Sequence, residues 1–102
     1  MMFDLKNTKY QVQYTSRFKK EFKKILKQGK DEIKFLEVLN IIVNGGNLES
    51  KYKNHKLVND KIFKDCNECH IEPDWLLVYK YHDNKLILLL FATGSHSDLF
   101  NK

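Results

Sequence analysis

The sequence predicts an α+β fold in which an N-terminal strand and a two-helix hairpin pack on a small, mainly antiparallel sheet of four or five strands. Two observations favour this fold. Apolar residues recur at helical spacing as far as Asn44, whereas from Leu48 onward they form short strand-like runs. A chain of 102 residues can bury one modest core but not two. We therefore expect a single domain over residues 1–102.

The first half of the chain predicts one strand and two helices. Residues 10–15 alternate apolar and polar side chains, the period of a strand with one buried face. Ser16 is a candidate N-cap for a first helix that ends at Gly29. A second helix begins at Asp31, whose charge suits the helix dipole, and ends at residues 44–46. The predicted buried stripes are Phe18, Phe22, Ile25 and Leu26 in the first helix and Ile33, Leu36, Leu39, Ile42 and Val43 in the second.

The second half predicts strands joined by short turns. Residues 62–71 are ambiguous in period and are assigned to one strand, and Pro73 then interrupts pairing. Two strongly β-prone runs follow, WLLVYKY at residues 75–81 and LILLLF at residues 86–91. Residues 82–85 between them predict a hairpin turn.

The charge distribution indicates an anionic partner. The formal net charge is +5, and the segment from Lys6 to Lys30 contains nine basic residues and one acid. Nucleic acid or an acidic protein fits this charge. The basic side chains of the first helix either neutralise phosphates or form an ordinary solvated face; they are Arg17, Lys19, Lys20, Lys23, Lys24 and Lys27. No apolar run approaches the roughly 20 residues of a membrane span, so we expect a cytoplasmic protein with no membrane partner.

Cys66, Cys69 and His70 match the C-x-x-C-H pattern of covalent haem attachment. We exclude haem because that chemistry belongs to exported proteins and because a chain of this size cannot spare the apolar lining. A zinc site made of the two thiols and His70 is the remaining metal hypothesis, although structural zinc normally has four ligands. The simpler interpretation is that the thiols are incidental, and it predicts no metal.

Three histidines and one carboxylate stand at the edges of predicted strands, where side chains can converge above a sheet. They are His55, His70, His96 and Asp74. Histidine suits proton transfer near neutral pH, and Gly94 permits a sharp chain exit that would aim His96 back at the sheet. His82 lies in the predicted turn and is expected to be solvated. Trp75 and Phe100 are candidates for stacking on a nucleobase, a contact worth about 1–3 kcal/mol, with a place in the core as the alternative for Trp75.

Three blocks of sequence behind the basic helices resemble the YafQ branch of the RelE superfamily of bacterial toxins. They are KYKNHKL, ECHIEPDWLLVY and TGSHSDLF, in this order. The resemblance covers nearly the whole chain and implies a RelE-like fold. It also implies the toxin of a type II toxin-antitoxin system, a ribosome-dependent endoribonuclease that cuts messenger RNA and is neutralised by a cognate antitoxin. The implied partners are that antitoxin, mRNA on the ribosome and ribosomal RNA, with DNA contacted only through the antitoxin.

The chemistry implied by the resemblance needs no metal and no cofactor. A general base takes the proton of the ribose 2′-hydroxyl, the oxygen attacks the adjacent phosphorus, and a general acid protonates the departing 5′-oxygen, so DNA is not cut. The family's catalytic positions fall on His55, His70, Asp74 and His96. We predict His96 as the general acid, Asp74 assisted by His70 on the base side, and His55 as base or phosphate ligand. The predicted RNA-binding residues are Trp75, Phe100, Lys53, Lys56, Arg17, Lys19, Lys20 and Lys23.

One position departs from the family pattern. The family carries an arginine just before the Thr-Gly of the last block, whereas this chain has Ala92. A guanidinium there would stabilise the charge on the pentacoordinate phosphorus. Three explanations stay open: a lysine such as Lys53, Lys56 or Lys64 takes over the charge, the protein is weakly active, or the arginine was replaced deliberately. The alternative function is therefore a toxin-like module that binds antitoxin and ribosome without cleaving RNA.

Overall fold

The computed structural model describes residues 8–100, which form three α-helices, two short 3-10 turns and a five-stranded sheet. In chain order the elements are β1 (Gln11–Tyr14), α1 (Ser16–Lys27), α2 (Glu32–Ile42), a 3-10 turn (Ser50–Tyr52), β2 (His55–Lys56), β3 (Asn67–Glu72), β4 (Trp75–His82), a second 3-10 turn (Asp83–Lys85), β5 (Ile87–Gly94) and α3 (His96–Phe100). The strand order is β1-β5-β4-β3-β2. β1 is parallel to β5 and the other neighbours are antiparallel. The predicted α+β fold is confirmed.

Both long helices begin at side-chain caps. The hydroxyl of Thr15 accepts a hydrogen bond from the N–H of Phe18 at 2.9 Å, and the Asp31 carboxylate caps α2 in a similar way. The cap of α1 is thus one residue earlier than predicted, and Ser16 is the first helical residue. Thr15 also donates to the carbonyl of Phe91 at 2.7 Å, so its hydroxyl fixes the helix to the sheet as well. Among residues 8–100, none of the helices has the length and apolar character that a bilayer span requires.

The main core lies between α1, α2 and one face of the sheet. Phe35 of α2 contacts Phe18 and Phe22 of α1, with ring centroids 6.0 and 4.7 Å apart. The predicted burial of Ile33 and Leu36 was wrong, since these side chains are 67% and 36% exposed. The aromatic contact explains the difference, because it turns the Phe35 side of α2 toward α1.

A second core covers part of the opposite face of the sheet. It consists of Phe63, Cys66, Leu76, Val78, Ala92 and Leu99, with Leu57, Phe91 and Phe100 packed against it. The segment from Val58 to Asp65 forms turns that close this core. Strand β3 begins only at Asn67, so the first half of the strand predicted at residues 62–71 was wrong.

A side-chain hydrogen-bond pattern explains those turns. The Asp60 carboxylate accepts hydrogen bonds from the N–H groups of Ile62 and Phe63 at 2.9 and 2.8 Å. Asn59 and Asp65 adopt positive φ angles of 59° and 60°, which a strand does not allow. These turns place the Phe63 side chain in the second core, and the residue does not belong to a strand.

The C-terminal helix α3 follows β5 directly and was not predicted from the sequence. A Cβ atom at Gly94 would lie 3.3 Å from the Cβ of Asp98, so glycine allows the helix to return close to the strand end. The hydroxyl of Ser95 accepts a hydrogen bond from the N–H of Asp98 at 3.1 Å. His96 is consequently the first residue of a helix that turns back on the sheet.

Candidate active site

Side chains of β3 alternate between the two faces of the sheet. Cys69 points into the main core on the helix side, so Glu68 and His70 point to the opposite face. Strand β2 places His55 directly across from Glu68. The ring of His96 comes within 5.6 Å of the His70 ring, measured between centroids. Together with Asp74 these residues form what we call the histidine cluster: His55, Glu68, His70, Asp74 and His96.

Glu68 is the centre of the histidine cluster, and it was missed in the sequence analysis. Its side chain is only 5% exposed, and its Oε1 atom lies 3.6 Å from Nε2 of His55 and 3.4 Å from Nε2 of His70. The period of two along a strand was the available signal, because a residue two positions before His70 shares its face. The Glu68 carboxylate lies where it can accept a hydrogen bond from either ring.

The other nitrogen of each of these rings contacts a backbone carbonyl. Nδ1 of His55 lies 2.9 Å from the oxygen of Lys53, and Nδ1 of His70 lies 3.3 Å from the oxygen of Pro73. Because a carbonyl only accepts, Nδ1 carries the proton in both contacts. Each Nε2 then donates to Glu68 only when its ring holds a second proton. The three groups can therefore share and exchange protons.

Asp74 contacts His96 and not His70, the residue that was predicted to assist it. Its Oδ1 accepts a hydrogen bond from the backbone N–H of His96 at 3.0 Å and lies 3.4 Å from Nδ1 of the same residue. The backbone hydrogen bond is the main cause that lowers the pKa of the Asp74 carboxyl, against a smaller opposing effect of desolvation. A carboxylate with a lowered pKa is a weaker base. The contact suits Asp74 to hold a proton on Nδ1 of His96, whose side chain is 51% exposed.

The two aromatic candidates have different environments. Trp75 is 1% exposed in the main core, and its indole N–H donates to the hydroxyl of Thr93 at 3.0 Å. The predicted stacking of Trp75 on a base was therefore wrong, because its ring faces are covered by protein. Phe100 is half-buried, with its ring centroid 6.1 Å from that of His96 and 5.6 Å from that of Phe63. The structure thus brings Phe100, but not Trp75, to the histidine cluster.

The predicted basic residues do not all approach the histidine cluster. Lys53 and Lys56 are exposed on either side of His55. The other lysines, Lys19, Lys20 and Lys23, are exposed on α1. That helix packs on the opposite face of the sheet, so these three side chains lie away from the histidines.

Comparison with known proteins identifies the family. Residues 10–101 match the family described as the bacterial toxin of type II toxin-antitoxin system, YafQ. The chain belongs to the YafQ family. The mRNA interferase toxin YafQ of Escherichia coli strain B / BL21-DE3 is 33% identical over 90 residues, which cover 87% of this chain and 94% of that toxin.

Solved structures of YafQ-type toxins share the RelE-like fold predicted from the sequence blocks. YafQ in the E. coli DinJ-YafQ toxin-antitoxin complex has a TM-score of 0.78 at 31% identity, covering 90% of this chain and 98% of that one. A metal-bound toxin from Helicobacter pylori has a TM-score of 0.83 at 35% identity, covering 89% of this chain and 99% of that one.

Ala92 lies at the position where the sequence resemblance implies an arginine, and it is fully buried in the second core. It pairs with Val78, which in turn pairs with Glu68, so one row crosses the sheet from Ala92 to His55. Two strand spacings separate Ala92 from Glu68, about 10 Å. An arginine here could reach toward Glu68 only by displacing part of the second core.

Arg17, the chain's single arginine, contacts the same core from another side. Its Cζ atom lies 5.0 Å from the centroid of the Phe63 ring, and its Nε donates to the Glu21 carboxylate at 3.0 Å. The other Glu21 oxygen accepts a hydrogen bond from the N–H of Thr93 at 3.1 Å. Arg17 is therefore held at the edge of β5 by a network, next to a core that includes Ala92.

The structure excludes the predicted zinc site and offers another group of ligand atoms. Cys66 lies in the second core and Cys69 in the main core, on opposite faces of the sheet, so the zinc site of two thiols and His70 was wrong. Burial raises the pKa of both thiols, that of Cys69 to about 12. Glu68, His70 and His96 instead offer three ligand atoms that all lie within 4.8 Å of one another. Two histidines and one carboxylate form a ligand set used by zinc enzymes.

Proposed function

We propose that this chain is the toxin of a type II toxin-antitoxin system and acts as a ribosome-dependent endoribonuclease on messenger RNA. The observation that carries the proposal is the pair of imidazoles 5.6 Å apart, His70 and His96, each in contact with its own carboxylate. Attack by a 2′-hydroxyl requires two proton-transfer groups close together, and these two imidazoles lie side by side. The E. coli relatives named mRNA interferase toxin YafQ support the same activity.

In the proposed reaction His70 is the general base and His96 is the general acid. Nε2 of neutral His70 takes the proton of the ribose 2′-hydroxyl, and Glu68 stabilises the resulting imidazolium. The 2′-oxygen forms a bond to phosphorus while the bond to the 5′-oxygen breaks. His96, held through Nδ1 by Asp74, gives its Nε2 proton to that oxygen. The products are a 2′,3′-cyclic phosphate and a 5′-hydroxyl.

Positive charge near the phosphate would come from His55 and Lys53, whereas Lys56 is the next residue of β2 and points to the other face of the sheet. His55 shares Glu68 with His70 and is half exposed, so it can contact the phosphate when protonated. These groups replace a guanidinium only in part, because a lysine is a point charge without the planar fork of arginine. We therefore expect slower cleavage than an arginine at position 92 would allow. A toxin-like module that binds antitoxin and ribosome without cleavage is the alternative that Ala92 favours.

A bound metal ion would compete with the proposed chemistry. Glu68, His70 and His96 fit a transition-metal ion by ligand type and by spacing. The H. pylori relative is described as metal-bound, which supports metal binding by this chain. Such an ion would occupy the nitrogen atoms that transfer protons. We propose that it inhibits cleavage.

Proposed partners are the cognate antitoxin and the ribosome. Antitoxin binding is supported by the relative solved in the DinJ-YafQ complex, and the exposed lysines of α1 offer a basic surface for ribosomal RNA or for an acidic antitoxin segment. The test of the function adds the purified protein to ribosomes programmed with a defined mRNA and maps new 5′ ends. New 5′-hydroxyl ends inside the reading frame are expected. Stalled ribosomes without new ends would contradict the ribonuclease and support the binding module.

A further inference from the structure

A cavity of about 450 Å³ adjoins the histidine cluster at His70. It lies between α2, the 3-10 turn at Ser50–Tyr52 and the end of β3. Of the cluster residues, His70 alone lines it. The cavity is within the size range of sites for small organic ligands.

The shortness of β2 explains why the cavity exists. β2 pairs only with Asn67 and Glu68 of β3. Beyond Glu68, the outer edge of β3 has no neighbouring strand within the part of the chain that the structure describes. An open strand edge presents backbone N–H and C=O groups that can bond a ligand. The cavity lies against this edge, at residues 70–72.

Apart from the ion pairs of Glu72, the charged side chains that line the cavity carry a net positive charge. Glu72 accepts hydrogen bonds from Lys30 and Lys34 at 3.2 and 2.9 Å, so its charge is neutralised. Lys51 and Lys53 line the cavity as exposed side chains, against the single carboxylate of Glu37. An anionic ligand is favoured over a cationic one.

The walls also offer an aromatic surface. Tyr52 is half-buried, packs against the main core and lines the cavity. The Nζ atom of Lys51 lies 5.1 Å from the centroid of its ring. An aromatic ring with lysines beside it is the combination that binds a base and its phosphate in single-stranded RNA.

We propose that this cavity binds one nucleotide of the RNA substrate, on the 5′ side of the scissile phosphate. The assignment rests on the proposed function, because the nucleotide on that side carries the 2′-hydroxyl that His70 deprotonates. Its phosphate contacts Lys51 and Lys53, and its base packs against Tyr52 with its polar edge toward the open edge of β3. The cavity then contributes to the choice of nucleotide at the cleavage site.

The test measures binding of a trinucleotide with 2′-O-methyl riboses, which cannot be cleaved by 2′-oxygen attack. Saturable binding should shift the NMR signals of the amides of Tyr52, Lys53 and Ile71. The double variant Lys51→Ala/Lys53→Ala should bind about tenfold more weakly, the scale of two lost contacts between exposed charges. Lys85→Ala, an exposed lysine in the turn at the other end of β4, is the matched control and should bind like the wild type.

Cleavage assays with lysine variants separate this proposal from the proposed function. Lys51→Ala alone, which keeps Lys53 in place beside His55, should raise KM on RNA and leave kcat close to that of the wild type. One possible result is that the wild type cleaves RNA but the double variant binds the trinucleotide as tightly as the wild type does. That result would overturn the cavity assignment without contradicting the ribonuclease activity. If the wild type binds the trinucleotide but cleaves no RNA, the cavity assignment is supported and the proposed ribonuclease activity is contradicted. Loss of antitoxin affinity alone would identify an acidic peptide as the occupant and overturn the proposal.

Discussion

The Asp74 carboxylate accepts a hydrogen bond from the backbone N–H of His96 at 3.0 Å. This bond joins the turn after β3 to the first residue of α3. The same oxygen lies 3.4 Å from Nδ1 of the His96 ring. One carboxylate thus fixes both the backbone and the ring of the proposed general acid. Its role is to orient His96, which differs from the base-side role that the sequence predicted.

Replacing Asp74 tests this orienting role. Asp74→Asn keeps an oxygen that can accept the backbone N–H of His96 but loses the negative charge beside Nδ1. We expect cleavage to fall by about 10²-fold, the scale of lost acid-base catalysis, with the thermal midpoint nearly unchanged because the carboxyl is exposed. Asp74→Ala should lose both contacts and be at least as slow. Full activity in Asp74→Asn would show that the charge does not orient the acid.

Introducing arginine at position 92 separates the loss of stability caused by packing from the gain in activity caused by the charge. Ala92→Arg is expected to cleave faster by about 10²–10³, the usual effect of a transition-state charge contact. It should also lose about 1–3 kcal/mol of stability, because the residue is fully buried in the second core. Ala92→Met is the matched control and should lose stability without gaining activity. A folded Ala92→Arg variant with unchanged cleavage would show that the arginine is not needed here.

Alkaline pH should destabilise the fold through Cys69. Desolvation, with a smaller effect of Glu68, raises the pKa of this thiol from 9.0 to about 12 in the folded protein. Between these values the unfolded chain loses the proton and the folded chain keeps it, so stability is intact below pH 9 and falls as the pH rises toward 12. The slope from one such group is about 1.4 kcal/mol per pH unit.

Urea unfolding at pH 8 to 11 measures this slope. Cys69→Ala should start less stable because of the cavity it leaves, but its stability should depend less on pH than that of the wild type. Cys66→Ala provides a comparison at a thiol that lies in the other core. Equal slopes for the wild type and Cys69→Ala would show that this thiol does not cause the alkaline loss.

A divalent transition metal should inhibit RNA cleavage. Zn²⁺ added to metal-free protein is expected to bind Glu68, His70 and His96 and to stop the reaction, and EDTA should restore it. Glu68→Gln should weaken Zn²⁺ binding, whereas Cys69→Ala should leave it unchanged because this thiol faces the main core. Stimulation by Zn²⁺, or loss of inhibition in Cys69→Ala, would contradict the ligand set.

The fold was largely predictable because its signals are local. Prediction of the β-prone run at residues 75–81, which the structure shows as β4 (Trp75–His82), and of the turn that follows needed no tertiary information. The rotation of α2 was not predictable, since both Ile33 and Phe35 are apolar and contacts with α1 decide which is buried. Helix α3 has only five residues, too few to show a period.

The candidate site was predictable by residue type but not by pairing. The structure brings the three predicted histidines together, whereas Glu68 was missed because burial beside two imidazoles is a tertiary property. Trp75 was assigned to a surface role that its burial contradicts. The contact between Asp74 and His96 spans 22 positions and depends on how α3 returns to the sheet.

The central claim is that His96 protonates the departing 5′-oxygen. It is tested most directly by single-turnover cleavage of a programmed mRNA in which that oxygen is replaced by sulfur, since a thiolate leaves without a proton. His96→Ala should cleave the normal substrate at least about 10²-fold more slowly than the wild type and approach the wild-type rate on the sulfur substrate. His70→Ala should be slow on both. Equal impairment of His96→Ala on the two substrates would contradict the account.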